Sequence, residues 1–420
     1  MGACTVVPGI VDVYPKAVLP AQFDFTTAWI NRYLGSDIPA ATMLDILEKL
    51  EFGLKVEGEK ITVTAPTWRQ DVTGPVDIAE EVSRIHGYEH IPATQPVGPM
   101  REGGEVGKRG PMDTARDLMT GLGFCETLSF SFSHSYFFDY LRLPADSPLR
   151  NAIPIMNPIT DEFPILRTTL MAGLLETVAR NLSRKNEDLK LYEVGNTYHA
   201  LSLPLTSHPK EECRLCGVMV GRRDGTEWCH SREMVDFFDV KGIVESLLSG
   251  LGLPEWQIQR SEAPWLHPGK QADVVIENTT VATFGALHPS VQDAFGIAKP
   301  VYVFKVNLSD LAPWVTDAVQ KYSPLPKYPS ISRDLAVVLP ESVSAGEVLA
   351  AVKAAGGALL ADYHLFDVYT GERVEKGTRS LAISVLFRSE DRTLTDEEAD
   401  APFRAIVSQL EKLFGAKLRG

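Results

Sequence analysis

The spacing of apolar residues predicts three folded segments, the first of which spans residues 14–92. Leu44, Leu47 and Leu50 recur at three-residue steps, a pattern typical of the buried stripe of a short helix. The stretch "EKITVTAPTW" alternates apolar and polar residues and predicts a strand. Two helices, a hairpin and a third helix together predict a small α+β domain with winged-helix character.

The second segment is the largest and spans residues 111–316. It follows residues 93–110, which are rich in Gly and Pro and are predicted to be a linker. Leu170, Leu174 and Val178 recur every four residues, which predicts a long amphipathic helix. Strand-like runs such as "LKLYEVGNTYH" and "VYVFKVNL" outnumber the helices, so we expect a mainly antiparallel sheet with helices on one face.

The third segment spans residues 324–420 and follows a Pro-punctuated linker over 317–323. Its pattern reads strand, helix, strand, strand, helix, with an additional edge strand, which is the ferredoxin-like order. Thr395 and Glu398 form a predicted capping box at the start of the last helix. The expected fold class is therefore α+β and multidomain.

Composition narrows the class of protein. A chain of 420 residues is too long for one core, and its 44% hydrophobic content fits a globular protein. No apolar run reaches membrane-spanning length and the N-terminal run lacks the pattern of a secretion signal, so we expect no membrane partner. The five scattered cysteines suggest reduced thiols and a cytoplasmic location. The net charge of −14 means that any nucleic-acid contact needs a local basic face or another subunit.

Four carboxylates, Asp71, Asp77, Glu80 and Glu81, fall within eleven residues. The last three are spaced so that they share one helical face, opposite an apolar stripe that ends at Ile85. Acids in a first helical turn are stabilised by about 0.3–1 kcal/mol each, which is one explanation of the cluster. A divalent cation site is the other, because hard cations need several oxygen ligands.

A second candidate metal group consists of Cys213, Cys216, Cys229 and His230. A C-x2-C step followed by a Cys-His pair is compatible with zinc. However, "RLCGVMVG" reads as a strand, in which residues three apart point to opposite faces. The strand interpretation is preferred, and zinc binding by this group stays an open question.

Basic and aromatic residues alternate along the third segment. Basic side chains bind phosphates and aromatic rings stack on splayed bases, a combination that suits a single-stranded RNA loop. Arg333, Arg379, Arg388 and Tyr328 are the predicted RNA contacts, although half of the aromatic residues are expected in the core. The full set is Lys321, Lys327, Arg333, Arg373, Lys376, Arg379, Arg388, Arg392, Tyr322, Tyr328, Tyr363, Phe366, Tyr369 and Phe387.

Taken in order, the three segments resemble the C-terminal half of the beta subunit of bacterial phenylalanyl-tRNA synthetases. "PTWRQDVTGPVDIAEEVSRIHGYEHIP" is similar to the B5 domain of that family. "NPITDEFPILRTTLMAGLLETVARNLSRKNEDLKLYEVGNTY" is similar to its class II synthetase-like core, and "PLPKYPSISRDLAVVL" opens a segment similar to its anticodon-binding domain. The OB-like and editing domains of the family's N-terminal half are not visible, so a segment of a longer subunit is expected.

The resemblance implies a function. The family's D-x5-D-x2-E-E pattern for Mg²⁺, in a site shared with the alpha subunit, is matched by Asp71, Asp77, Glu80 and Glu81. Leu191 stands where an active class II enzyme has a phosphate-binding arginine, so no catalytic residue is expected here. The implied role is to support an α2β2 ligase in which the alpha subunit uses ATP to attach phenylalanine to its tRNA. The alternative is a stand-alone nucleic-acid-binding module without a ligase partner.

Overall fold

A computed structural model describes residues 4–95, 97–99, 109–225, 227–311, 313–315, 322, 324–371 and 374–419. The chain divides into two compact units, Met1–Gly103 and Gly104–Gly420. Both contain helices and mainly antiparallel sheets, which confirms the α+β, multidomain prediction. Within the described residues, no helix is both long and apolar enough to span a membrane.

The first unit packs three helices on a small antiparallel sheet with strand order β1-β3-β2. The helical stripe is shifted from the predicted one: Leu47 is buried, but Leu44 and Leu50 are only partly buried. Ile85 is 46% exposed, so the prediction that the stripe of the third helix reaches it was wrong. The elements are β1 (Gln22–Thr26), α1 (Thr27–Leu34), α2 (Ala40–Lys49), β2 (Gly53–Glu57), β3 (Lys60–Thr64) and α3 (Pro75–His86).

The second unit begins with the large core. Its helices are α4 (Arg109–Gly121), α5 (Phe137–Tyr140), α6 (Met171–Ser183), α7 (Phe237–Gly250), α8 (Pro289–Ala294) and α9 (Leu308–Leu311). Its strands are β4 (Cys125–Glu126), β5 (Phe132–Ser133), β6 (Ile165–Leu166), β7 (Leu189–His199), β8 (Lys210–Val220), β9 (Gln257–Arg260), β10 (Leu266–Ile276), β11 (Thr279–Leu287) and β12 (Val301–Val306).

In the described residues the core sheet has seven strands in the order β4-β7-β8-β12-β11-β10-β9, and only the β4–β7 pair is parallel. Helices cover both faces, so the prediction of helices on one face was wrong. The reason is visible in β12, where Val303 packs with α6 on one side and Phe304 packs with α7 on the other. A strand that is apolar at successive positions is buried on both faces.

The remainder of the second unit has the ferredoxin-like order predicted from sequence. Its elements are β13 (Ile331–Pro340), α10 (Ala345–Gly356), β14 (Leu360–Tyr369), β15 (Thr378–Phe387), α11 (Asp396–Phe414) and β16 (Lys417–Leu418). The sheet order is β14-β15-β13-β16, with β16 as the additional edge strand. The capping box is confirmed, since the Thr395 amide donates to Glu398 Oε2 at 3.0 Å. Both helices pack on one face of this sheet.

Candidate functional site

Asp77 caps the helix on which it lies. Gly74 is extended and α3 begins at Pro75, so the backbone amides just before the helix need an acceptor. Asp77 Oδ2 accepts from the amides of Thr73 at 2.7 Å and Gly74 at 2.9 Å. The Thr73 amide is the main reason that the pKa of Asp77 lies below its usual range. The helix-start interpretation of the sequence thus accounts for one oxygen of Asp77.

Glu81 is held by two arginines rather than turned to solvent. Its carboxylate is buried, and its oxygens accept from Arg69 Nη2 at 2.9 Å and Arg84 Nη2 at 2.6 Å. The hydrogen bond from Arg69 is the largest influence on the pKa of Glu81, which is lowered. Arg69 Nη2 also lies 2.6 Å from Asp71 Oδ2, and this contact lowers the pKa of Asp71. One guanidinium therefore joins two of the four predicted acids.

Glu80 is exposed, and its carboxylate forms no hydrogen bond or ion pair with the residues that the structure describes. The four acids do not converge on one point: in the described part of the chain, no three His, Cys, Asp or Glu side chains are grouped to hold a metal ion. Two carboxylates offer oxygens that fit a partial magnesium site in which water supplies the other ligands. They are Glu80 and Asp77, whose Oδ1 atom accepts no hydrogen bond from the described residues. The magnesium site therefore stays a prediction.

The core contains a buried ion pair between Arg167 and Glu193. Arg167 Nη1 lies 2.6 Å from Glu193 Oε1, and Ser129 Oγ donates to the other oxygen at 2.6 Å. A Cβ at Gly195 would collide with Arg167 Nη2, which explains the glycine. Leu191 packs against the apolar cluster on the α6 side of the sheet. Sequence reasoning missed Arg167, whose signal was only the charged residue in "ILRTTL".

The cysteine group is divided by the strand on which it starts. Cys213 packs in the α7-side cluster and Cys216 in the α6-side cluster, as strand alternation predicts. Burial raises the pKa of the Cys216 thiol to about 12, so it stays protonated at neutral pH. Cys229 is exposed, and His230 Nδ1 lies 3.0 Å from Glu227 Oε2. The described residues thus bring together no zinc site from this group.

Two of the predicted RNA contacts are held inside the ferredoxin-like domain. Arg333 bridges β13 to α11, with Nη2 2.6 Å from Asp396 Oδ1 and Nε 3.2 Å from Asp400 Oδ1. Arg379 donates to the Val343 carbonyl at 2.6 Å. In the strand register Arg333 lies opposite Val385 and Arg379 opposite Leu339, both buried residues of the helix-covered face.

The other predicted contacts are less constrained. Arg388 is partly buried and Tyr328 is 36% exposed, and the described residues supply no hydrogen bond to either side chain. Phe387 is fully buried, which confirms that part of the aromatic set belongs to the core. Lys321 and Arg373 lie outside the described residues.

The helix-free face of this sheet carries a different set of residues. The guanidinium of Arg419 lies over the ring of Tyr369, 4.8 Å from its centroid. Tyr369 is opposite Ser380, and the exposed Asp367 is opposite Ala382. We call Asp367, Tyr369, Arg419 and the buried Ser380 the open-face group. Sequence reasoning included Tyr369 among many aromatics but missed the other three, because only the pairing of β14, β15, β13 and β16 brings them together.

Three family models match successive parts of the chain. The tRNA synthetase B5 domain matches residues 23–88, and the phenylalanyl tRNA synthetase beta chain CLM domain matches residues 91–308. The ferredoxin-fold anticodon binding domain matches residues 326–419. The second of these covers more than half of the chain.

Curated relatives agree with the family models. The phenylalanine–tRNA ligase beta subunit of Clostridium acetobutylicum is 34% identical over 423 aligned residues, covering 100% of this chain and 51% of that protein. The subunit of Moorella thermoacetica is 36% identical over 417, covering 99% and 51%. The crystal structure of pyrrolysyl-tRNA synthetase from Desulfitobacterium hafniense covers 52% of this chain and 75% of its own, at 15% identity and a TM-score of 0.38, too low to support an argument. This chain spans about half the length of its curated relatives, and it belongs to the phenylalanine–tRNA ligase beta-subunit family.

Proposed function

We propose that this chain is the part of a phenylalanine–tRNA ligase beta subunit that supports the alpha subunit and binds tRNA. In this proposal the alpha subunit attaches phenylalanine to tRNA with ATP, in a cytoplasmic α2β2 enzyme. The three domains are assigned to residues 14–92, 111–316 and 324–420. The observation that carries the proposal is the open-face group, which lies in the segment that matches an anticodon-binding domain.

The open-face group has the chemistry that a single-stranded anticodon requires. Stacking of a base on an aromatic ring contributes about 1–3 kcal/mol, and Tyr369 offers such a ring. Arg419 supports the ring from one side and supplies a positive charge for a phosphate. Asp367 is an acceptor for the N–H groups of a base edge. The face is thus suited to reading RNA although the whole chain is acidic.

The core is proposed to be catalytically silent. Leu191 has no donor for a phosphate, and it packs in an apolar cluster. The nearby guanidinium, Arg167, is already neutralised by Glu193 and is buried with it. The role left to this region is to hold the alpha subunit.

Mg²⁺ is proposed at the acidic cluster, shared with the alpha subunit. The first candidate ligands are Glu80 and the Oδ1 atom of Asp77. Asp71 and Glu81 are also predicted ligands, and both accept hydrogen bonds from Arg69. A bound Mg²⁺ would neutralise the mutual repulsion of these acids. The backbone amides of Thr73 and Gly74 hold the Asp77 side chain in position by hydrogen bonds.

Assembly and activity are tested together by co-expression with an alpha subunit. We expect mass measurement to give an α2β2 complex that exchanges pyrophosphate in a phenylalanine-dependent manner. The purified chain alone should show no exchange above background, and exchange by the chain alone would contradict the silent core. A monomeric chain that binds nucleic acid but no alpha subunit would instead support the stand-alone alternative, which the comparisons do not favour.

A further inference from the structure

Two cavities meet beside α6, and one carboxylate lines both of them. Their volumes are about 410 Å³ and 290 Å³, and they share Phe137, Glu176 and Arg180. Glu176 is partly buried and forms no hydrogen bond or ion pair with any residue that the structure describes. A carboxylate that is removed from water without a partner is unfavourable. The junction of the cavities therefore holds a carboxylate with no hydrogen-bonded or ion-paired partner among the described residues.

Aromatic rings line the same two cavities as this carboxylate. His134 and Phe163 have ring centroids 4.5 Å apart, and the contacts continue to the rings that line the second cavity. There, the Phe137 and Phe295 centroids are 5.5 Å apart, and Tyr140 lies 5.4 Å from Phe295. The faces of Phe and Tyr rings are electronegative, so the walls that they form attract cations and disfavour anions. The aromatic rings and the carboxylate thus both favour a positively charged ligand.

The cations nearest to Glu176 on this chain do not neutralise it. His134 and Arg180 both act on Glu176 only through space, and Arg180, one turn further along α6, keeps an exposed side chain. Arg167 lines the first cavity but is paired with Glu193. Within the described chain, then, the position opposite Glu176 is left for a cation that comes from outside.

The mouth of the first cavity indicates where that cation comes from. Leu128 and Phe130 line it and are 87% and 73% exposed. Exposed apolar side chains that adjoin a cavity mark a surface for apolar groups. A free amine would leave Leu128 and Phe130 in water, whereas a peptide can cover them beside its charged side chain.

We propose that the cavities beside α6 are a binding site for a lysine or arginine side chain of a protein partner, flanked in that partner by apolar residues. The charged head group lies against Glu176 between the aromatic rings. The apolar neighbours lie on Leu128 and Phe130. The site is separate from the open-face group, so it does not depend on tRNA binding.

The test uses the full chain and three probes: acetyl-Leu-Lys-Leu-amide, the same peptide with norleucine in place of lysine, and butylammonium chloride. Binding is measured by NMR titration. We expect the lysine peptide to bind about tenfold more tightly than the norleucine peptide. Glu176→Gln should abolish this difference, whereas Glu162→Gln, at an exposed carboxylate nearby, should keep it. Arg180→Gln should increase the affinity, because it removes a competing cation.

Four results would overturn the proposal. The first is no binding of the lysine peptide to a folded chain, and the second is a tenfold preference that survives Glu176→Gln. The third is that Glu162→Gln abolishes the preference for the lysine peptide as fully as Glu176→Gln does, which would show a general charge effect. The fourth is butylammonium binding as tightly as the lysine peptide, which would identify a small amine rather than a protein as the ligand. Circular dichroism on each variant verifies that the fold is intact.

Discussion

Arg167 and Glu193 form an ion pair inside the core, 2.6 Å apart and with side-chain exposures of 8% and 2%. Truncating one member of a buried pair leaves the other charge uncompensated, at a cost of about 3–5 kcal/mol. We therefore expect Glu193→Ala to lower the free energy of unfolding by about this amount. The double variant Arg167→Met, Glu193→Leu should be less destabilised than either single variant. Urea unfolding followed by tryptophan fluorescence measures both.

The control for the Arg167 and Glu193 variants is Lys241→Ala, which removes an i,i+4 ion pair with Glu245 on α7. Such pairs contribute about 0.3–0.5 kcal/mol, so the change should be small. If Glu193→Ala and Lys241→Ala lower the free energy of unfolding equally, the prediction that the buried pair contributes more than an exposed pair is contradicted.

Glu81 predicts a pH dependence of stability in the first unit. Its pKa is lowered mainly by the hydrogen bond from Arg69, so folding favours its charged form. The resulting stabilisation is complete above the unfolded pKa, about 4.3, and is lost as the pH falls through the folded value. We expect Glu81→Gln to destabilise this unit at pH 7 and to flatten the acid limb of its stability profile. Thermal unfolding between pH 7 and 3 is the measurement, and an unchanged acid limb would contradict it.

Asp77→Asn and Glu80→Gln should weaken association with the alpha subunit in magnesium. The reason is that these residues offer the carboxylate oxygens not engaged by arginines. Sedimentation of wild type and the double variant, in magnesium and in chelator, is the measurement. If the acids act only through the helix dipole, the result will be a loss of about 1 kcal/mol in stability with no magnesium dependence.

Tyr369→Ala should weaken tRNA binding by the assembled enzyme by about 1–3 kcal/mol, because it removes a stacking platform. Arg419→Ala should weaken it less and make the log–log salt dependence shallower by about one phosphate contact. Filter binding at several salt concentrations, with footprinting of the anticodon arm, tests both. Tyr33→Ala, at an exposed tyrosine of the first unit, is the aromatic control, and an equal loss there would remove the open-face group from the interface.

Arg333→Ala is expected to act differently from the open-face variants. It breaks the contacts of β13 with Asp396 and Asp400 of α11, so it should lower the stability of the domain. At a temperature where the domain is folded, tRNA affinity should change little. Loss of tRNA affinity with unchanged stability would show that the arginine binds RNA, as the sequence suggested.

Local patterns were sufficient where burial follows secondary structure. Ile61, Val63 and Ala65 are buried on one side of β3 and the segment after it, as the alternation requires. The capping box of Thr395 and Glu398 depends on residues three apart and was predictable for the same reason. Local geometry fails for Glu81, whose helical position predicts a polar face. Arg69 and Arg84 make its burial possible by supplying the counter-charge.

The sequence by itself determined the order of the three segments, the ferredoxin-like pattern and the family, because these depend on periodicity and local motifs. Only the tertiary structure decided which residues share a surface. Tyr369 and Arg419 meet because β14 and β16 belong to one sheet, while Arg333 and Arg379 lie on the face covered by helices. A change of one residue in strand register moves a side chain to the opposite face. Register is set by packing across the whole domain, so the composition of a single strand does not specify it.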